Sequence, residues 1–521
     1  MAERSAKTNE VKCNQFLFWL IASLLLIPWI YVQHQTSINS DTAWLSICAQ
    51  RLLSGGSMLQ DCYDTNPPLN ILIYIPFICI SNLLNITIYE SLFWVTLFWI
   101  GGAVFLARRI LESFPLLNQN DKNIISLTFL CSITIIPSLY FTERDHFLAI
   151  MILPLILVQL AYTYKYELPK PITYIVLLLG GVTLLLKPHF GLIPAFLLLQ
   201  RMFIQKRIWI VKDNDFIILF ILSAAYLAGV YVYFQDFTNI ILPDILKTYL
   251  YYNAPAKTYK TALPYTLLLI ICFISLIFIK DKSKQLLLTL GICTLIALIV
   301  YIIQMKGFTY HRLPLNALLF PLSALIMFRL FSGKITLVTN NVLPYIFIAL
   351  VFSTSYWHSP LRFNFPSHKD YQDNPVANYI SENCSSPCSF YMTYENMDIV
   401  SQLAFYSDYE YATRFPTFWF LADKTPTQSK RERFANYIAE DIELYAPSLM
   451  LILTSSPALD KIEGDKTVIE YFSFSSNFRR VMKKYQKIDN LTVDRSIFYK
   501  DTPYDFPYRL GWDVYKRVSS E

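Results

Sequence analysis

Residues 285–303 run from Gln285 to Ile303 without one charged side chain, a length that crosses about 30 Å of hydrocarbon as a helix. Comparable apolar runs fall at 16–32, 70–84, 91–107, 124–140, 147–163, 172–186, 190–205, 214–234, 263–279, 313–328 and 342–356. A helix satisfies its own backbone hydrogen bonds in lipid, where no water can do so. The chain therefore reads as a polytopic α-helical membrane protein. Its 54% hydrophobic and 16% charged residues agree with this, since charged residues make up about a quarter of an ordinary soluble domain. The net charge of +6 sits in short clusters between apolar runs rather than in one basic stripe, so no nucleic-acid partner is expected.

The first run follows a short basic segment, as a signal peptide would, but no small-residue cleavage site precedes Gln33-His34-Gln35. It is read as a retained span. Lys7 with Lys12, Arg108-Arg109, Lys165 with Lys170, Arg201 with Lys206-Arg207, Lys280 to Lys284, and Arg329 with Lys334 are expected on the cytoplasmic side. They agree with one another only if the run 70–84 does not cross. That run opens on Asn66-Pro67-Pro68 and contains Pro76, so it reads as a re-entrant or interfacial segment. About eleven spans remain, with the N-terminus inside. Under this parity the segments 34–69, 141–146, 187–189, 235–262 and 304–312 share the outer face.

The expected division is a transmembrane domain over 1–356 and a soluble extracytoplasmic α/β domain over 357–521, with strand-like runs Ser389-Phe-Tyr-Met-Thr-Tyr and Leu449-Met-Leu-Ile-Leu-Thr. Of the nine cysteines, Cys13, Cys79, Cys131, Cys272 and Cys293 lie in or beside apolar runs and read as small hydrophobes. Cys384 and Cys388 lie in a polar stretch and form either a small disulfide loop or two free thiols. The stretch Arg414-Phe415-Pro416-Thr417-Phe418-Trp419 reads as hydrophobic core, with sugar or acyl-chain contact as the alternative.

Chemistry gathers in the outer segments. The first loop carries Ser40-Asp41-Thr42, then Ser54-Gly55-Gly56, and closes on Tyr63-Asp64-Thr65-Asn66-Pro67-Pro68-Leu69. Asp41 either caps a helix or, held partly desolvated at the lipid boundary, accepts a proton from an acceptor hydroxyl. Glu143-Arg144-Asp145-His146 abuts an apolar span, where ionisable groups are costly unless they pair or line a polar cavity. It is either a self-neutralised cluster or a donor site. Lys187-Pro188-His189-Phe190 and Lys306-Gly-Phe-Thr-Tyr-His311-Arg312 place cations on the outer side against the positive-inside tendency. They either snorkel to headgroups or bind a phosphodiester through charge-assisted bonds. Any divalent metal would fall to Glu143 or Asp145. No internal repeat, Gly-rich phosphate loop or His-Glu-x-x-His zinc motif is present.

The order of these features resembles the GT-C superfamily, which includes protein O-mannosyltransferases and the lipid A aminoarabinose transferases. One span leads to an outer loop with an early Asp, a Gly-Gly and a Tyr-Asp-x-Asn-Pro-Pro-Leu close; many spans and an outer soluble domain follow. The resemblance covers about residues 12–356. It implies a polyprenyl-phosphate-sugar donor and a lipid, glycan or protein acceptor. Asp41 would serve as acceptor base, with Glu143 or Asp145 as the second acidic residue. Asn66 stands where the family usually has a lysine, so that lysine's role is not carried over.

The resulting expectation is an inverting hexosyl or pentosyl transferase in a bacterial inner membrane, with its C-terminal domain outside the cytoplasm. Asp41 and Glu143 would be catalytic, and Asp145, His146, Lys187, His189, Lys306, His311 and Arg312 would bind donor sugar or phosphate. Inversion is expected because no second nucleophile is evident. The rival from another class is a lipid or glycan flippase. It would favour duplicated halves and charges near mid-membrane, whereas no duplication is present and the charges gather at one face.

Overall fold

The computed structural model describes residues 20, 22–24, 26–207, 212–248, 253–331, 367–384, 387–393, 399–407, 409–422, 426–454, 467–494 and 509–518. They cluster into two compact units, one drawn from 1–34, 89–228 and 253–362 and the other from 35–88, 229–252 and 363–521. The expected boundary at 356/357 and the run 342–356 lie outside the described residues.

The first unit is a helical bundle around Arg144–Tyr164. That helix is apolar on every side after His146 and buried along nearly its whole length, as a helix at the centre of a bundle must be. It packs against Lys170–Leu186, Leu192–Gln205 and Leu313–Phe331. Asn214–Tyr233 is equally apolar, yet its apolar window buries nothing inside the protein.

Six helices among the described residues are long and apolar enough to cross a membrane: Ile88–Glu112, Arg144–Tyr164, Asn214–Tyr233, Pro255–Phe278, Lys284–Ile303 and Tyr310–Leu330. The chain is thus a polytopic helical membrane protein. The expected runs 124–140, 172–186 and 190–205 instead give helices of 16, 17 and 14 residues. Local chemistry stops them: Pro137 follows the first, Lys187-Pro188 the second, and Lys206 in a left-handed conformation the third.

Two of the cations used to orient the chain are not solvated. Arg201 is fully buried and reaches Asp213 Oδ2 and Asp215 Oδ1, each at 3.0 Å. Arg329 bonds Asp121 Oδ2 at 2.6 Å and Asp281 Oδ2 at 2.8 Å. Both therefore act as staples between helix ends, and the basic bias of these loops rests on the remaining lysines and on Arg207, Arg108 and Arg109.

The second unit combines the first loop with a five-stranded sheet. Strands β1 (Ser389–Met392), β2 (Glu410–Tyr411), β3 (Leu449–Leu453), β4 (Tyr485–Asp494) and β5 (Arg509–Arg517) stand in the order β2-β1-β3-β5-β4. The β1 strand pairs in parallel with β2 and β3, whereas β5 runs antiparallel to β3 and β4. Both strand-like runs of the sequence are strands, β1 and β3. All five residues of β3 are apolar and buried, as suits a central strand covered on both faces.

From the first loop, Ser40–Leu53 forms a helix capped by Asn39, whose side chain accepts the Thr42 N–H at 2.7 Å. This corrects the capping alternative for Asp41, which lies one residue inside the helix. Gly55 has a φ of 91°, and a Cβ on Gly56 would lie 2.6 Å from Asp61 Oδ2, so the Gly-Gly pair is required by this turn. Leu69–Leu72 and Ile75–Leu84 are short apolar helices broken between Ile73 and Tyr74, and together they fall outside the six long enough to cross.

Two disulfides lie in this unit, Cys48–Cys62 and Cys384–Cys388. The second was one of two sequence alternatives; the first was missed. Setting aside the five apolar-run cysteines leaves an even four, which was the available signal. The Cys48–Cys62 link spans 14 residues, a loop whose closure stabilises by about 3 kcal/mol in a chain-entropy account. Cys48→Ser is expected to lower the chaotrope midpoint for protease protection of the second unit correspondingly. An unchanged midpoint would show that the hydrogen bonds around the loop hold it alone.

Candidate functional site

The N-terminal end of the core helix Arg144–Tyr164 carries the ionisable cluster. Thr142 there has a φ of 69°, turning the chain sharply into the helix. Glu143 is the N-cap: its Oε2 accepts the Asp145 N–H at 2.7 Å, and its Oε1 accepts Arg144 Nε–H at 2.8 Å. Both oxygens are thus occupied and the residue is fully buried. Burial raises the Glu143 carboxyl above its usual range, with Arg144 and Lys187 pulling against it. This geometry makes Glu143 the residue that holds Arg144 in place.

Asp145 is also fully buried, and Lys187 Nζ lies 3.0 Å from its Oδ2. Neither carboxylate oxygen receives a conventionally aligned hydrogen bond among the described residues, so the ammonium is its charge partner. Lys187 ends the helix Lys170–Leu186, where Pro188 stops further winding. The same Nζ lies 3.5 Å from His311 Nε2 and 5.8 Å from the centre of the Tyr310 ring. His311 is 5% exposed, and its Nδ1 has no hydrogen-bond partner among the described residues. Residues distant in sequence, 145, 187 and 311, therefore form one buried carboxylate, ammonium and imidazole group.

The other candidates divide. Arg144, His189 and Lys306 lie within electrostatic reach of His311. Lys306 is half-buried, and burial lowers its ammonium below the usual range. The sharp bend bringing its loop back uses Met305 at a φ of 53° and Gly307 at 65°. His189 is exposed on a short 3-10 turn. Arg312 turns to the Thr309 carbonyl at 3.3 Å and stands over the Tyr265 ring.

His146 departs from expectation. Its Nδ1 accepts the Thr142 N–H at 3.1 Å, and its Nε2 lies 2.7 Å from the Ile133 carbonyl. Those partners assign the neutral tautomer with the proton on Nε2. Both ring nitrogens are used by backbone, so His146 pins two segments together and has none left for a ligand. Tyr310 is the residue that sequence reasoning left out of the site, although it adjoined a chosen residue.

Asp41 belongs to the second unit, half-buried in the first turn of Ser40–Leu53. The loop's closing motif folds on itself there. Asp64 accepts Trp44 Nε1–H at 2.7 Å through Oδ2, and the Asn66 N–H at 2.6 Å through Oδ1. Asn66 also turns its side-chain amide to Asp64. Among the described residues no three His, Cys, Asp or Glu side chains are placed to hold a metal ion. In Arg414–Trp419, Arg414, Phe415 and Phe418 are buried, in keeping with hydrophobic core.

No protein-family model matches the sequence. No curated protein matches it either. Solved structures do. ArnT from Cupriavidus metallidurans in the apo state aligns with a TM-score of 0.53 at 10% identity, covering 76% of this chain and 85% of that one. The same protein bound to undecaprenyl phosphate gives 0.47 at 13% identity over the same shares. The arabinofuranosyltransferase AftD from Mycobacteria gives 0.47 at 10% identity, over 97% of this chain and 40% of its own. The fold assignment rests on the first of these. This chain shares the fold of that ArnT structure.

Proposed function

We propose that the protein transfers a sugar from a polyprenyl-phosphate donor to a lipid, glycan or protein acceptor on the extracytoplasmic face of the membrane. The observation that carries this reading is the buried Asp145–Lys187–His311 group, with Arg144 and Lys306 close by, at the end of the central helix. Charges so buried beside lipid are expensive, and they are retained where a charged ligand must be met. A phosphate is the anion whose oxygens match an ammonium and a guanidinium.

In the reaction, the acceptor oxygen bonds to the anomeric carbon as the bond from that carbon to the phosphate oxygen breaks. The electron pair stays on the phosphate, and the acceptor proton passes to Asp41. Lys187 and Arg144 stabilise the charge that grows on the leaving phosphate. Glu143 keeps Arg144 oriented. Single displacement inverts the anomeric centre.

The two disulfides support an extracytoplasmic place for the second unit, since such bonds persist in oxidising compartments. Incubation of the purified protein with radiolabelled polyprenyl-phosphate sugars, in membranes supplying acceptors, should move label from the polyprenyl carrier to a second molecule. Label that remains on intact donor while the donor changes leaflet would establish a flippase instead.

A further inference from the structure

We infer that Asp145 is a built-in competitor for the donor phosphate, setting how tightly the site holds the phosphate left after transfer; this rests on the donor site proposed above. Three observations lead there. Lys187 Nζ is 3.0 Å from Asp145 Oδ2, so without ligand the principal cation is already neutralised. Asp145 is fully buried, and its Oδ1 has neither a hydrogen bond nor an ion pair among the described residues. A carboxylate retained only for stability would have those lone pairs filled, because a buried anion with unmet acceptors costs more than an apolar replacement. His311 Nδ1 is likewise buried without a partner, 5% exposed overall, in the group that faces Lys187.

The chemistry of the reaction explains what such a competitor does. The donor is a phosphodiester with one negative charge. The product is a monoester, whose second ionisation near neutrality gives it about −1.5 to −2. Lys187, Arg144 and Lys306, if unopposed, would therefore bind product more tightly than substrate, and the site would stall. A fixed carboxylate beside Lys187 repels the monoester more than the diester. It also reclaims the ammonium when the lipid phosphate leaves. Asp145 thus shifts selectivity toward the diester and speeds product release.

The test measures binding of farnesyl phosphate and of farnesyl methyl phosphodiester to the full-length protein in detergent. Asp145→Asn is expected to tighten the monoester about tenfold, ~1.4 kcal/mol, and the diester distinctly less. A gain in affinity cannot come from a damaged fold, and Asp145→Ser serves if the Asn variant does not purify. Adding Lys187→Ala should abolish the gain, because the competition is for that ammonium. Unchanged or weaker monoester binding in both Asp145 variants, an equal gain for both ligands, or a gain that survives Lys187→Ala would each overturn the inference. If the wild type binds neither ligand, the donor-site reading itself fails and the inference falls with it. Binding that is lost on Lys187→Ala but indifferent to Asp145 leaves the donor site standing and removes only Asp145's role.

Discussion

Asp41→Asn is expected to lower sugar transfer by about a hundredfold or more, the usual effect of removing a positioned general base. The substitution keeps the shape of the side chain and removes its proton affinity. Structure bears on how cleanly this can be read. The helix Ser40–Leu53 is capped by Asn39, not Asp41, so losing the carboxylate does not remove the cap. The helix is further fixed at its far end by the Cys48–Cys62 disulfide and by Arg51, which bonds the Asp61 and Thr413 carbonyls at 2.8 and 2.7 Å. Insertion and folding should therefore persist. Initial rates with labelled donor, compared at equal amounts of folded protein, decide the matter, and activity within about threefold of wild type would remove Asp41 from the mechanism.

The largest stability effect is expected at Asp441. This residue, on the helix Gln428–Tyr445, is fully buried and accepts from Arg414 Nε at 2.6 Å, from the Arg414 N–H at 2.9 Å and from Thr413 Oγ1 at 3.1 Å. Burial pushes its carboxyl up to about 6 against the pull of Arg414. Arg414 in turn donates to the Leu59 carbonyl at 3.2 Å, while its own carbonyl accepts the Tyr63 N–H at 2.7 Å. Asp441→Ala would leave a guanidinium 3% exposed with, among the described residues, only the exposed Glu440 as counter-ion. Breaking such a buried pair costs about 3–5 kcal/mol. Chaotrope titration with protease protection of the second unit measures it. A loss under about 1 kcal/mol would mean that Glu440 or water replaces the lost oxygens. Asp441→Asn, which keeps one acceptor, should fall between.

The Arg414 contacts also show that the first loop and the C-terminal segment pack as one unit. Along the chain, hydropathy separates 35–88 from the C-terminal segment by more than two hundred residues of apolar helices. In space both belong to one unit with 229–252. Tyr63 illustrates this: its hydroxyl donates to Asp244, which Arg433 grips through both oxygens at 2.6 Å. Three stretches meet there, and no local pattern marks the meeting.

What the sequence determined by itself follows from one-dimensional costs. Lipid cannot hydrogen-bond a backbone, so long uncharged runs had to be helices, and ionisable residues abutting them had to be paired or functional. That was enough to single out Asp145, Lys187, Lys306 and His311, and short strand-like runs between helix-like segments were enough to find β1 and β3. Tertiary structure alone decided partners. Whether Asp145 meets Lys187, whether His146 spends both nitrogens on backbone, and whether Cys48 finds Cys62 depend on where turns set by Thr142, Pro188 and Gly55-Gly56 send the chain. Charge-assisted bonds and disulfides act over about 3 Å or less, far below what the spacing of residues along a sequence can specify.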